Sequence, residues 1–381
     1  TGKSIIENIQ PLLHPHPITR QKAEITISHN GNIPNARKIR EELENKGIKF
    51  HTHTDTEIIL KLIEQSKGSL EEKVIDAFGS INGSFSSIIT TKDTLIAIKD
   101  PWGNRPLCYG KLNGGYIFAS ESGALYKVGA EYIRELDPGE MIVVNNHGEK
   151  NYHALEKRQL QFCLFEHVYF AMPDSILNGK ANANTQEDCG RISYRESGVD
   201  ADLVAPVLNS GKYFSSGIAK ESGIEFDLAI LKNDYVGRTF IMAEQVKRSS
   251  SVKVKFSPLT YKIKGKRILL GEDSLVRGTT MQNLVRELLD SHGAKEVHLR
   301  IGSPPNRYPC YYGIDTPERN QLIAARMNVE EIRKFTGATT LAYLNLDGLL
   351  SACPGKPETY CTACFTGKYE IPLNGLEVGM N

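Results

Sequence analysis

Residues 269–280 read LLGEDSLVRGTT. An apolar run ends in two adjacent carboxylates, Glu272 and Asp273. It then passes through Ser274 to a turn that holds Gly278 between Arg277 and the hydroxyls of Thr279 and Thr280. Carboxylates repel phosphate, whereas the rest of the loop attracts it. The main-chain N–H groups from Val276 to Thr280 can form a nest at the start of a helix, where free donors and the helix dipole bind a phosphate monoester. Gly278 lets the backbone approach closely. Glu272 and Asp273 can accept from two vicinal hydroxyls, or bind Mg²⁺ as hard oxygen ligands. A ribose 5-phosphate satisfies both halves of the motif. The plainer alternative is a capped helix behind a solvated acidic turn, but paired acids at the end of an apolar strand are costly without partners.

Other chemistry-bearing residues lie apart from this loop. Seven cysteines stand at 108, 163, 189, 310, 353, 361 and 364, an odd number that does not suggest a disulfide framework. Cys361 and Cys364 form a C-x-x-C pair, which fits metal or redox chemistry. Zinc, an iron–sulfur cluster and a redox pair remain open on spacing alone. Asn30-Gly31, in SHNGN, is a strong hairpin-turn dipeptide.

The elements that must position these groups follow two rhythms. The chain has 381 residues, enough for two or three domains. It is 40% hydrophobic and 24% charged, with a net charge of +1, so no electrostatic case exists for nucleic acid or an acidic membrane. No apolar run reaches bilayer length and no signal peptide is visible, so a cytoplasmic location is expected. Up to about residue 150 the sequence reads as β-rich with one helix between the strands: AEITISHNGN breaks at Asn30-Gly31, NARKIREELENKG has helical periodicity, and GSFSSIITTKDTLIAIKD reads as two strands about a turn. That pattern predicts an α/β sandwich. From about 155 to 335, strand-like and helical runs alternate, which predicts a parallel sheet with its ligand at the carboxyl ends of the strands. VLNSG, with Ser210-Gly211, and GEDSLVRGTT both fall at such ends. After 336, ATTLAYLNLDGLLSAC reads as a short helix before a Gly/Pro-rich tail.

The loop at 268–280 resembles the phosphoribosyl-pyrophosphate (PRPP) signature of type I phosphoribosyltransferases. The chain as a whole is similar to the glutamine PRPP amidotransferase family, of the iron–sulfur-containing type. SHNGNIPNARKIREEL, DTEIIL, DPWGNRPLCYGKL, FEHVYFAMPDS, KNDYVGRTFI, EDSLVRGTT, SPPNRYPCYYGID and CTACFTGKY fall in that family's order and cover nearly the whole chain. The resemblance implies a partial class II glutamine amidotransferase domain over 1–153, an Ntn-hydrolase αββα sandwich. A phosphoribosyltransferase domain would follow over 154–335, then a C-terminal helix and cluster-binding tail over 336–381. It implies the first step of purine synthesis: glutamine is hydrolysed, and the ammonia displaces pyrophosphate from PRPP to give 5-phosphoribosylamine.

Residue roles follow by the same resemblance. Glu272 and Asp273 would hold the ribose hydroxyls and, with Ser210, the Mg²⁺. Val276, Arg277, Gly278, Thr279 and Thr280 would hold the 5-phosphate. Ser210-Gly211 would form the pyrophosphate loop, and Lys232, Tyr235 and Arg238 would lie on the lid over PRPP. Asn30 and Gly31 would supply the oxyanion donors, and Asp55 would hold the glutamine ammonium group. Cys163, Cys310, Cys361 and Cys364 would bind a [4Fe–4S] cluster. The family's catalytic N-terminal cysteine has no counterpart near Thr1, and about seventy residues of the family pattern are missing, by domain size. The chain as given is therefore expected to depend on ammonia. Purine nucleotides are implied as feedback inhibitors, and a homotetramer or homodimer as the assembly.

Four positions depart from the family's pattern: Asn209 in the pyrophosphate loop, Asp234 in the lid, Glu272 where an aspartate is usual, and Met172 where an arginine is common. They keep a second reading in view, a PRPP- or nucleotide-binding regulator that retains the fold with weak catalysis. Such regulators add a DNA-binding winged helix, and no basic helix-turn-helix segment is visible here.

Overall fold

The computed structural model describes residues 8–14, 24–233, 256–316 and 318–373. Its first half is built on a six-stranded antiparallel sheet, ordered Leu12–His14, Ile25–Asn32, Ser84–Thr90, Thr94–Lys99, Glu140–Asn145 and Gly148–His153. Alternation along these strands sends every second side chain to the same face. Ile27 pairs with Ile89, Ile89 with Ile96, and Ile96 with Val143, which makes a row of branched side chains across four strands. All four are buried. Helices Ala36–Asn45, Asp55–Gln65 and Leu70–Gly79 cover that row, contributing Ile39, Ile58, Ile59, Val74 and Phe78 to one core. Their starts are set locally: Thr54 accepts from the N–H of Glu57, and Ser69 forms a reciprocal capping box with Glu72.

The sheet's other face carries Ala97 and Ile142, which pack on Tyr109 and Phe118 of a three-stranded sheet and on Leu107 just before it. Beyond it the short helix Ser122–Lys127 sets Leu125 against Cys108 and Ala130. The layers therefore run helix, sheet, sheet, helix, as expected of an Ntn-type sandwich.

The second half has a parallel sheet of four strands in the order Leu203–Pro206, Arg267–Glu272, Glu296–Ile301 and Thr340–Tyr343. Helices on both faces bury its first three strands almost throughout, whereas Thr340–Tyr343 at the edge is half-buried. Ile268 and Leu270 enter one core with Met281, Leu284 and Ile332, whereas Leu269 and Val204 enter another with Cys189, Phe214 and Ile218. The fourth strand corrects the sequence reading of 338–353 as one helix. Residues 340–343 pair with 298–301, and only Leu346–Ala352 is helical. The β-branched Thr339 and Thr340 and the aromatic Tyr343 suit a pleated strand, and a free parallel edge captures it.

The tail returns to the start of this half. Tyr360–Cys361 pairs in parallel with Phe162–Cys163, placing Cys361 in register with Cys163. Among the described residues no helix is long and apolar enough to cross a membrane.

Candidate active site

The central strand of the parallel sheet ends at Glu272, and the chain leaves it at the carboxyl rim. A cleft of about 430 Å³ opens there. Its lining includes Ser210, Glu272, Asp273, every residue from Ser274 to Met281, and from elsewhere Phe165, Tyr169, Phe170, Phe256, Asn306, Asp315 and Thr316. The acids and the loop thus share one space. Ser210 Oγ donates to Glu272 Oε1 at 3.2 Å, bridging the ends of two neighbouring strands. The Asp273 N–H reaches the same oxygen at 3.2 Å, and Ser274 Oγ donates to Asp273 Oδ2 at 2.5 Å. Burial, and then the neighbouring Asp273, push the Glu272 carboxyl well above its ordinary range. A cation or a hydroxyl-rich ligand at this point would relieve that strain on ionisation.

Gly278 precedes helix Thr279–Arg286 at φ 78°, a left-handed conformation that favours glycine. This turn aims the loop back along the helix axis. The main-chain N–H groups of Val276, Arg277, Gly278, Thr279 and Thr280 donate to no group among the described residues. A row of unspent donors at a helix start is an anion site in waiting. The Arg277 side chain turns away to donate to Gln321 Oε1 at 2.9 Å.

Other expected residues are placed less directly. Gly211 caps helix Lys212–Ser222, and its N–H donates to Val207 O. Lys232 is exposed at the end of strand Ile230–Lys232, and it is its register partner Phe256 that lines the cleft. Tyr235, Arg238 and Asp234 lie outside the described residues. The aromatic wall of Phe165, Tyr169 and Phe170, and the pair Asp315 and Thr316, were not singled out from sequence. The aromatics belong to the quoted motif FEHVYFAMPDS and Asp315 ends SPPNRYPCYYGID, with Thr316 just after it, but no local pattern distinguishes cleft-facing members from their neighbours.

Cys163, Cys310, Cys361 and Cys364 line one enclosed cavity with Asn104, Phe165, Asn306, Tyr312, Ile314 and Thr316. Burial pushes the Cys163 and Cys364 thiols well up and the Cys361 thiol to about 12, and the grouped sulfurs add to the shift. Among the described residues, no three His, Cys, Asp or Glu side chains converge as ligands of a single ion. Of the other three cysteines, Cys108 is buried in a small cluster of its own, whereas Cys189 and Cys353 share an apolar core with Cys163; none of the three lines this cavity. Phe165, Asn306, Ile314 and Thr316 wall both the thiol cavity and the cleft.

Asn30-Gly31 is not a hairpin turn. The strand runs on through Asn32, with Asn30 opposite Ser86 and Gly31 opposite Phe85. A β-carbon on Gly31 would stand 2.0 Å from Ser84 O, and one on Gly313 would stand 2.7 Å from Gly31 Cα. The backbones of the two halves touch here. Asn32 Nδ2 donates to Tyr311 O at 2.9 Å, and Ser84 Oγ donates to Tyr312 O at 2.5 Å. Asp55 opens helix Asp55–Gln65. It accepts from the Ile33 N–H at 3.2 Å and lies 3.8 Å from the buried ring of His29, whose pKa desolvation lowers. Asn30 Oδ1 accepts from Arg105 Nε and Nη2 at 3.3 and 3.1 Å, and its Nδ2 donates to Ser120 Oγ at 3.3 Å.

A glutamine amidotransferase domain family matches residues 5–127. Over its whole length the chain is similar to amidophosphoribosyltransferases. It is 42% identical to that of Archaeoglobus fulgidus, covering 99% of this chain and 82% of the relative. It is 39% identical to that of Bacillus subtilis, covering 96% and 77%. A chloroplastic one from Glycine max is 41% identical, and the chain spans 66% of its length. Among solved structures, the glutamine PRPP amidotransferase from B. subtilis, complexed with ADP and GMP, superposes with a TM-score of 0.90 at 38% identity, covering 97% of this chain and 81% of that one.

Proposed function

The chain belongs to the amidophosphoribosyltransferase family, and from that premise we propose that it makes 5-phosphoribosylamine and pyrophosphate from PRPP in the first step of purine synthesis. One observation carries the reading: buried paired acids and a row of unspent N–H donors face a single cleft at the strands' carboxyl rim. Glu272 and Asp273 accept from the ribose hydroxyls. Val276 to Thr280 cradle the 5-phosphate, with Thr279 and Thr280 adding hydroxyl donors. Ser210-Gly211 hold the pyrophosphate, and Lys232, Tyr235 and Arg238 contribute to binding PRPP. The nitrogen lone pair attacks C1, the C1–O bond to pyrophosphate breaks with its electron pair, and the ammonium product loses a proton to solvent. The transition state has oxocarbenium character, so the protein's work is to orient the two reactants, hold the leaving group and keep water out. Phe165, Tyr169 and Phe170 supply the apolar wall for that last task.

Mg²⁺ held by Ser210, Glu272 and Asp273 would neutralise the leaving pyrophosphate. Those oxygen donors suit a hard cation, and the raised Glu272 pKa marks a carboxylate that lacks a positive partner. The thiols of Cys163, Cys310, Cys361 and Cys364 would hold a [4Fe–4S] cluster that pins the tail to the base of the cleft. A cluster takes one thiolate at each iron, so sulfurs spread around a shared apolar cavity fit it better than they fit zinc, which needs them converged on one point.

In the first half, Asn30 and Gly31 serve as oxyanion donors and Asp55 as the anchor of the glutamine ammonium group. Ammonium supplied from solution tests the second half independently of glutamine. Purine nucleotides are the chain's feedback inhibitors and a homodimer or homotetramer its assembly. The experiment is pyrophosphate release from PRPP with ammonium above pH 8 and Mg²⁺. Release that requires both substrates supports the reading, whereas PRPP binding without release favours the regulator.

A further inference from the structure

Arg105 stands in the turn after DPWGN and is 5% exposed. Its backbone is fixed from several sides. Asp100, buried within the same turn, accepts from the N–H groups of Phe85, Trp102 and Asn104, and Ser86 Oγ donates to Arg105 O at 3.0 Å. Its guanidinium meets three groups: the Asn30 carboxamide oxygen through Nε and Nη2, the Glu166 carboxylate through Nη1 at 2.9 Å, and the Phe170 ring at 5.9 Å. Glu166 and Phe170 belong to the second half of the chain, so a cation of the first half is neutralised by the other. The Glu166 contact lacks hydrogen-bond alignment, and the fork is spent chiefly on Asn30.

A carboxamide is nearly two-fold about its terminal torsion, and its oxygen and nitrogen are almost isosteric. An oxyanion donor made from Asn30 works only if Nδ2 is presented; a flipped group would set lone pairs against the developing charge. A guanidinium carries donors alone, so whatever atom faces it must be the oxygen. We propose that Arg105 is a positioning residue that locks the Asn30 carboxamide so that Nδ2, with one hydrogen on Ser120 Oγ, presents its other hydrogen as the oxyanion donor, and that Glu166 supplies the counter-charge across the contact between the halves. This rests on the reading of Asn30 as an oxyanion donor. Lysine cannot substitute, because one nitrogen cannot form the fork on Asn30 and also meet Glu166.

The test is spectroscopic. The chain is labelled with ¹⁵N-asparagine, and the Asn30 side-chain signal is assigned by its loss in Asn30→Asp. In Arg105→Met the signal is expected to shift, and its amide protons to exchange on the order of tenfold faster or more, the loss of a hydrogen bond to a charged group. Arg105→Lys keeps the charge but loses the fork, and is expected to free Asn30 as well. Should Arg105→Met fail to fold, Arg105→Met with Glu166→Met removes both buried charges and gives the same readout. An Asn30 signal and exchange rate identical to the parent in any folded variant overturns the proposal. Pyrophosphate release by the parent chain is measured alongside. Its absence would count against the functional reading and leave the Asn30 result standing.

Discussion

Replacing Gly278 by alanine tests the phosphate cradle most directly. The residue sits at φ 78°, where a β-carbon costs about 1–2 kcal/mol. That carbon would lie 2.7 Å from Ile323 Cδ1 and 3.2 Å from Phe335 Cε1. Ile323 is fully buried in the core beneath the loop, so it has little room to retreat. Overpacking of this kind adds about 1–3 kcal/mol. The total of about 2–5 kcal/mol is relieved in part by displacing the loop, which moves the N–H row off its phosphate. The expected result is a melting temperature lower by about 4–10 °C and a KM for PRPP raised on the order of tenfold. The control is Gly293→Ala. Gly293 is also left-handed, at φ 70°, but its nearest new neighbour is Lys264 Cγ at 3.4 Å and it does not line the cleft. That variant should lose stability and keep the parent's KM. A Gly278→Ala protein that melts early yet binds PRPP like the parent would refute the assignment of this loop to phosphate. Unchanged melting in both variants would refute the strain argument itself.

Glu272→Gln should flatten the stability of the ligand-free chain against pH. The folded pKa of Glu272 is raised, so the folded state holds a proton that the unfolded state has released, and stability falls as pH rises above about 4.5. Comparing melting temperatures of parent and variant at pH 5 and pH 8 without Mg²⁺ should show the smaller drop in the variant, and an equal drop would remove Glu272 as the cause. Cys163→Ser should abolish the iron and sulfide content of anaerobically purified protein and its visible absorbance; zinc with no sulfide in the parent would sink the cluster. Ile96→Ala deletes the centre of the four-strand row at a fully buried position, and denaturant unfolding should report a loss of about 2–5 kcal/mol.

The backbone geometry of the loop at 272–280 was legible in the sequence because its determinants are local. A strand buried on both faces must be an apolar run, a left-handed turn calls for glycine, and free N–H groups follow wherever a helix starts. Four strands of the six-stranded sheet, at 25–32, 84–90, 94–99 and 140–145, and the helix at 36–45 were legible through alternation and periodicity, whereas the outer strands at 12–14 and 148–153 and the helices at 55–65 and 70–79 were not. Asn30-Gly31 misled as a turn because the dipeptide's own preference favours one. The pairing with 84–86 and the backbone of Gly313 override it from far along the chain. Residues 340–343 read as helix until the edge of a parallel sheet claimed them.

What the sequence determined alone was therefore the two rhythms of the halves and the local geometry of the loop at 272–280. Each is written in spacing over a few residues and in backbone freedom at single positions. Only the tertiary structure brought Cys361 into register with Cys163, set one wall of aromatic and polar side chains between the thiols and the cleft, and laid Arg105 between Asn30 and Glu166. Those partners are separated by scores of residues, and nothing in local periodicity ranks one distant pairing above another. The topology that closes the long loops does, since burial then leaves each cation, amide and thiol only the partners that share its cavity.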